Sequence, residues 1–209
     1  MDNSCYNFSE IDSKESFAKL GTSLGTKSVN NLIQLPSESG EGMIRKIDFE
    51  RGLHIRAWQL KLNHPFVLQR VAEKNAEPGT SFTIVYVLSN DAVSLHTASI
   101  RKDIVLHGNM NILLLANNID IDFKFAASNE VKAVDISLSS EWVKNQFSDA
   151  DSHFEGFLEN MKNNIKPAVF IESGSSMEYR TVMDLHTHAF TGSKGKLYLK
   201  AKTLSLISD

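Results

Sequence analysis

The sequence predicts an α+β fold in which antiparallel strands come first and helices follow. From residue 43 to about 138, short apolar stretches recur between turn-forming residues, and no long helical pattern separates them. From Ser139 onward, the apolar residues follow the helical period instead of the alternation of strands. Short strands without intervening helices favour an antiparallel sandwich or barrel over a parallel βαβ sheet, so we expect such a β domain followed by a helical bundle.

Composition places the chain among ordinary globular proteins. It has 209 residues, of which 42% are hydrophobic and 22% are charged, so it can bury a substantial core. The net charge of −3 does not provide the strong positive field typical of nucleic-acid binding. Cys5 is the single cysteine, which excludes an internal disulfide and favours a reducing compartment. With no signal-peptide pattern and no apolar run of membrane-spanning length, we expect a cytoplasmic protein that does not contact a membrane.

Residues 1–42 are predicted to form an N-terminal arm. This segment is polar and ends in a run of loop-forming residues at 35–42. A short helix is predicted over 12–20, with Phe17 and Leu20 on one face. The segment 19–32 loosely resembles a helix-turn-helix, although two glycines and the missing flanking helices count against it.

Residues 43–138 form the predicted β domain. Eight strands are expected, at 53–60, 66–72, 82–88, 93–97, 104–107, 112–116, 121–126 and 131–138. The alternation is clearest in two of them, where one face is apolar and the other polar: Ile121, Phe123 and Phe125 against Asp120, Asp122 and Lys124, and Val134, Ile136 and Leu138 against Asp135, Ser137 and Ser139.

Residues 139–209 are predicted to be mainly helical. Ser139 is a suitable N-cap, and capping-box spacings occur at Ser152/Glu155 and Ser175/Glu178. The first capping box precedes a strongly amphipathic face formed by Phe154, Phe157, Leu158 and Met161. A short extended piece over 168–171 precedes the second. The last helix is expected over about 194–207, with a seam formed by Leu197, Ala201 and Leu204.

The histidines do not form a recognisable metal motif. His186 and His188 are two residues apart in a helical pattern, so they do not share a face, and we interpret them as surface side chains. The other histidines of the β region are scattered, and the best candidate for a pocket-lining group is His107, beside Gly108. Neither a nucleophile elbow nor a phosphate-binding glycine loop occurs, so the sequence contains no positive evidence for an enzyme.

Aromatic residues on the predicted strands are candidates for a ligand pocket. Trp58, Phe66, Phe82 and Tyr86 could line the mouth of a barrel, where small molecules bind in apolar concavities. Ordinary core packing explains each residue equally well when it is taken singly.

Several short segments together resemble the N-terminal portion of AraC-type transcriptional regulators, closest to those of the siderophore-regulator kind. They are 33–36, 40–42, 47–55, 138–142 and, most tellingly, 192–206, which contains Leu-Tyr-Leu-Lys-Ala-Lys-Thr-Leu-Ser-Leu. The resemblance covers about residues 32–207 and implies a cupin-like β-barrel that senses an effector, with helices that mediate dimerisation. In that family a domain with two helix-turn-helix units follows, and this chain stops at Asp209, where such a domain would begin.

The resulting prediction is a regulatory module that binds a small-molecule effector and forms a homodimer. It would contact DNA only through a helix-turn-helix domain that this chain does not contain. The expected pocket residues are Trp58, Phe66, Tyr86 and His107, and the expected dimer interface comprises Leu197, Ala201 and Leu204. That seam could equally pack within its own chain. No cofactor, metal or catalytic residue is expected. The alternatives are a metal-dependent cupin-type enzyme, which elemental analysis would reveal, and a stand-alone small-molecule-binding module.

Overall fold

The structure, a computed structural model, describes residues 4–9, 14–72, 80–89, 91–97, 103–106, 110–116, 118–146, 169–187 and 192–208. In chain order its elements are β1 Ser4–Ser9, α1 Lys14–Ser23, β2 Leu32–Gln34, β3 Gly40–Glu50, β4 Leu53–Leu62, β5 Phe66–Val71, β6 Ser81–Ser89, β7 Val93–His96, β8 Ile104–Leu106, β9 Asn111–Ala116, β10 Ile121–Phe125, β11 Glu130–Ser139, α2 Ser140–Gln146, β12 Val169–Ser173, α3 Ser176–Thr187 and α4 Gly192–Ser208.

The strands form two sheets that pack face to face. The smaller sheet has the order β1-β5-β10-β7-β8, and the larger has the order β12-β9-β6-β11-β4-β3-β2. Neighbouring strands are antiparallel except for β1, which pairs in parallel with β5 at the edge of the smaller sheet. This confirms the predicted α+β architecture of an antiparallel β-sandwich with helices.

All eight strands predicted from the apolar stretches occur, with ends that differ by only one or two residues. The sequence did not predict β1, β2 or β3. In β3, the neighbours Arg45 and Lys46 carry charge on both faces of the strand, so the alternation that normally indicates a strand is lost. Lys46 is nevertheless buried, because it faces the interior and forms an ion pair with Asp48 at 3.0 Å.

The N-terminal segment contributes to the same core as the sandwich. The predicted short helix is confirmed as α1, in which Phe17 and Leu20 are buried. The structure excludes the helix-turn-helix alternative for 19–32, against which the sequence already counted. Asn30 and Asn31 adopt left-handed φ angles of 51° and 61°, which ends any helix there and leads into β2.

Two predicted helix caps are present. The Ser139 hydroxyl accepts a hydrogen bond from the Trp142 backbone N–H at 3.0 Å, so Ser139 caps α2. Ser175 and Glu178 form a reciprocal capping box at the start of α3: the Ser175 N–H donates to the Glu178 carboxylate at 2.6 Å, and the Glu178 N–H donates to the Ser175 hydroxyl at 3.2 Å. The amphipathic helix expected around 154–161 lies outside the described residues.

The turn between β3 and β4 shows why α2 begins where it does. Gly52 has a φ of 82°, and an added Cβ would clash with the Ser139 hydroxyl that caps α2. The Gly52 carbonyl also accepts a hydrogen bond from the Ser139 N–H at 2.9 Å. This close approach requires glycine and holds the end of β11 against the hairpin.

Both faces of the larger sheet are covered. Its inner face packs on the smaller sheet, and α3 packs against β4 and β11 on the outer face. Val134, Ile136 and Leu138 are buried on that outer face, together with Val182 and Leu185 of α3. The alternation predicted for β11 is therefore present, but its polar side faces the interior of the sandwich.

Candidate functional site: an interior cavity

A small cavity lies between the two sheets. The larger sheet contributes residues of β4, β6 and β11, and the smaller sheet contributes residues of β5 and β10. The lining residues are Trp58, Leu60, Phe66, Leu68, Val85, Val87, Phe123, Phe125, Val131, Ala133 and Asp135. Its free volume is about 30 Å³, which is room for one or two water molecules. A larger molecule must therefore displace side chains or separate the sheets.

Strand alternation explains why these side chains converge. Residues opposite each other in an antiparallel pair share a face, and Ala133 lies opposite both Trp58 and Val87. In the smaller sheet, Phe123 and Phe125 are buried, as their alternation predicts. Phe125 stacks on Phe66, with ring centroids 4.5 Å apart and planes 18° from parallel.

One end of the cavity carries a buried ion pair. The Arg56 Nε–H group lies 2.9 and 3.0 Å from the two carboxylate oxygens of Asp135, and both residues are buried. The Trp58 indole N–H donates to the same carboxylate at 2.6 Å. The Arg56 guanidinium also lies 5.6 Å from the centre of the Trp58 ring, within the range of a cation–π contact. These three side chains hold each other in fixed positions.

The sequence did not identify Arg56 and Asp135 as site residues. Asp135 was assigned to a polar face, and polar strand faces are normally exposed. A signal was available in β4, where Arg56 is the only Asp, Glu, Lys or Arg between Leu53 and Leu60. An isolated charge inside a fully buried strand requires a partner of opposite charge nearby.

Two of the four expected pocket residues line the cavity, namely Trp58 and Phe66. His107 lies outside the described residues. Tyr86 is buried on the opposite face of β6, because it lies between the two lining residues Val85 and Val87 and successive side chains alternate. The expected grouping of Tyr86 with the cavity is therefore corrected by the structure.

Tyr86 instead connects the sheet to the last helix. Its hydroxyl donates a hydrogen bond to the backbone carbonyl of Leu206 in α4 at 2.7 Å, and the contact is buried. In α4, Leu199, Thr203 and Leu206 are buried and recur at helical spacing, so they form the face that meets the rest of the chain.

The predicted α4 seam lies beside that buried face. Leu197 is 70% exposed, Ala201 is exposed, and Leu204 is half-buried against the core. Two of the three seam residues therefore point away from their own chain. Tyr198 and, on α3, Met177 add further exposed apolar surface, at 37% and 61%.

A second set of polar contacts anchors α4. The Glu50 carboxylate accepts a hydrogen bond from Lys200 of α4 at 2.7 Å and another from the Trp142 indole of α2 at 2.6 Å. These two donors, Lys200 first, lower the pKa of Glu50 below its usual value. Lys202 forms an ion pair with Asp184 of α3 at 2.9 Å. Together with the Tyr86 hydrogen bond, these contacts connect α4 to β3, α3 and β6.

The described histidines lie apart from one another. His54 is buried on the inner face of β4, whereas His96 lies on the exposed side of β7 and contacts Asp103 at 2.8 Å. Burial, followed by the charges of Lys132 and Arg45, lowers the pKa of His186 to about 4. Within the described ranges, no three histidine, cysteine, aspartate or glutamate side chains lie close enough to hold a metal ion.

A more open cleft lies on the surface at one end of β2, β3, β4 and β11, away from the turn between β3 and β4. It has a volume of about 330 Å³ and is lined mainly by polar residues, including Gln34, Glu41, Gln59 and Glu130. None of the expected site residues lies in it. No helix among the described residues is long and apolar enough to cross a membrane.

Solved structures with a similar chain path are distant in sequence. ToxT from Vibrio cholerae is 9% identical with a TM-score of 0.47, and the match covers 76% of this chain and 55% of that chain. Oxalate decarboxylase from Lactobacillus farciminis is 10% identical with a TM-score of 0.33, covering 71% and 48%. The 11S globulin from Wrightia tinctoria is 10% identical with a TM-score of 0.35, covering 68% and 40%. The chain thus spans about half the length of these proteins.

The sequence itself matches a family of regulatory domains. No curated protein matches the chain significantly. Residues 39–209, however, match the family model described as the regulatory protein PchR N-terminal domain. The resemblance seen in segments such as 192–206 is thereby confirmed, and the chain belongs to the PchR N-terminal domain family, the regulatory portion of AraC-type transcriptional regulators.

Proposed function

We propose that this chain is the ligand-sensing and dimerisation domain of an AraC-type transcription factor. One observation supports this most directly: the larger sheet lines an apolar cavity with one face and carries α4 on the other. Such a sheet contacts both a bound molecule and the helix at the C-terminal end of the chain. A regulatory domain needs a structural connection of this kind between its effector site and the helix that transmits the signal, here α4.

The effector binds between the sheets, against Trp58 and Phe66. The free volume of the cavity is only about 30 Å³, so the binding-competent state is a minor, more open conformation that the ligand stabilises. The apparent affinity is then reduced by the small population of that open state.

Strand β6 transmits the effect of ligand binding from the cavity to α4. Val85 and Val87 form part of the cavity wall, and Tyr86 between them holds the Leu206 carbonyl of α4. A ligand that pushes β6 outward moves the Tyr86 hydroxyl together with the helix. The two states differ in the position of α4, and the ligand favours one of them.

Dimerisation uses the outward side of α4. Leu197 and Ala201 are exposed there, and a leucine that is 70% exposed gains little burial from its own chain. A helix face of this kind can pair with its copy across a twofold axis. DNA is contacted by another domain of the complete regulator, consistent with the net charge of −3 here.

Filling the cavity tests ligand sensing. N-phenyl-1-naphthylamine is an uncharged dye that fluoresces in apolar sites, and we expect the wild-type domain to bind it. Ala133→Leu should weaken binding at least about tenfold, because the added side chain occupies the cavity. Ala18→Leu makes the same change on the exposed side of α1 and should leave binding unchanged. Absence of wild-type binding, or equal binding by Ala133→Leu with native circular dichroism, would contradict the proposal.

Light scattering tests the dimer. Leu197→Glu should convert a dimer to a monomer, whereas Val105→Glu, at another exposed apolar position on β8, should not. If the wild type is a dimer and Leu197→Glu keeps its mass, the interface lies elsewhere.

A further inference from the structure

A single carboxylate distinguishes this cavity from an ordinary hydrophobic core. Asp135 is 3% exposed, and the other lining residues are apolar. A ligand that enters the cavity must therefore place some part of its surface near this group. The chemistry around Asp135 decides which ligands are accepted, an argument that rests on the proposed ligand-binding function.

Two ion pairs lie near this end of the cavity. Arg56 is bound to Asp135 through Nε at 2.9 and 3.0 Å. Lys46, which lies opposite Arg56 in the β3–β4 ladder, is bound to Asp48 at 3.0 Å. Neither pair leaves a surplus positive charge to compensate a buried anion, whose desolvation is costly.

Hydrogen-bond acceptors, in contrast, remain available. A carboxylate offers about four lone-pair positions, and Asp135 receives donors from Arg56 and Trp58. Ser137 and Thr83 lie opposite each other about 7 Å farther along the same face. Both are buried, and in the described part of the chain neither hydroxyl has a hydrogen-bond partner. Hydroxyls at this end can accept a hydrogen bond from a ligand or donate one to it.

The rest of the lining suits a flat apolar body. Phe66 and Phe125 stack at 4.5 Å in the smaller sheet, and the Trp58 ring lines the cavity from the larger sheet. Aromatic rings that are already aligned favour another ring stacked in parallel with an offset. Small aliphatic residues, Val87 and Ala133, complete the wall beside Trp58.

We propose that the cavity selects an uncharged aromatic molecule bearing one hydrogen-bond donor, an O–H or N–H group that faces Asp135, and rejects molecules carrying a carboxylate or sulfonate. The aromatic body stacks among Trp58, Phe66 and Phe125. The donor completes the hydrogen bonding of the carboxylate. An anionic group in the same place faces the negative charge of Asp135, so it is disfavoured.

Two dyes with the same ring system test this directly. N-phenyl-1-naphthylamine is neutral and carries one N–H donor, and 8-anilinonaphthalene-1-sulfonate adds a sulfonate to the same skeleton. In fluorescence titrations of the wild-type domain, we expect the sulfonate to bind at least about 100-fold more weakly than the amine. Equal or tighter binding of the sulfonate, in competition with the amine, overturns the proposal.

A charge change at Asp135 sharpens the test. Asp135→Asn keeps an acceptor oxygen for Trp58 but leaves the Arg56 charge uncompensated, so sulfonate binding should tighten at least about tenfold. Asp91→Asn makes the same change in net charge at an exposed position and should alter neither affinity. A folded Asp135→Asn domain with unchanged sulfonate affinity contradicts the proposal. If this variant does not fold, the wild-type comparison alone decides.

The possible outcomes separate this inference from the proposed function. Binding of both dyes with similar affinity, each weakened by Ala133→Leu, retains the ligand-binding cavity and overturns its selectivity. Binding of neither dye overturns both. Binding of the amine alone, lost in Ala133→Leu, supports both.

Discussion

The hydrogen bond from Tyr86 to the Leu206 carbonyl offers the sharpest test of how α4 is held. Tyr86→Phe removes only the hydroxyl and keeps the buried ring, so little apolar burial is lost. The bond length of 2.7 Å is typical for O–H···O geometry, and Tyr86 is 2% exposed. Without the hydroxyl donor, the buried Leu206 carbonyl loses this hydrogen bond. We expect the free energy of unfolding to fall by about 1–2 kcal/mol.

Chemical denaturation measures this loss. The midpoint concentration should fall while the slope of the unfolding free energy with denaturant stays the same. In a chain of this length the same loss should lower the melting temperature by about 3–6 °C. Amide hydrogen exchange should also accelerate in α4, because local opening of the helix becomes roughly 5–30-fold easier.

Tyr198→Phe is the matched control, because it makes the same substitution on α4 itself. The Tyr198 hydroxyl lies 3.4 Å from Asp184 at an exposed position, so we expect a loss of at most about 0.5 kcal/mol. If the two variants lose the same stability, or if exchange in α4 is unchanged in Tyr86→Phe, the hydrogen bond does not hold the helix. The proposed transmission through β6 would then lack its main contact.

Two further substitutions test the buried polar groups. Trp58→Phe removes the 2.6 Å hydrogen bond to Asp135, and we expect a loss of about 1–3 kcal/mol in the free energy of unfolding. The pKa of His186 is lowered by burial from 6.5 to about 4. Between these pH values the His186 side chain is protonated in the unfolded chain and neutral in the folded chain. Stability should therefore fall as the pH drops from 6.5 towards 4, by about 3 kcal/mol at most, and His186→Phe should flatten this dependence.

Each of these expectations has a clear counter-result. If Trp58→Phe has the same midpoint of denaturant unfolding as the wild type, the indole N–H adds nothing to the stability of the pairing of Arg56 and Asp135. For His186, urea titrations at several pH values suffice. An identical pH dependence in the wild type and His186→Phe would assign the acid sensitivity to other groups.

Local patterns in the sequence predicted most of the individual elements. The eight apolar stretches became strands, because alternation and turn residues are properties of neighbouring positions. The caps at Ser139 and at Ser175/Glu178 were also predicted, since capping depends on spacings of three residues. In β3, charges on both faces concealed the strand, because only the folded sheet shows that Lys46 faces the interior.

The cavity was predicted only in part. Trp58 and Phe66 were expected to line it and do so, whereas Tyr86 faces the opposite side of the sheet. Both sides of β6 are buried, so hydrophobicity does not reveal which side meets the smaller sheet and which meets α4. The alternating pattern established that the Asp135 side chain lies on the other face of β11 from Val134 and Ile136. It did not establish that this face of the strand is turned towards the interior of the sandwich.

The sequence by itself determined the order of strands and helices, the helix caps and the family of this protein, because these depend on residues close together in the chain. The tertiary structure decided which face of each strand turns inward and brought Arg56 to Asp135 and Tyr86 to Leu206. These partners are 79 and 120 residues apart. Such contacts depend on how the sheets and helices pack, which local periodicity does not specify.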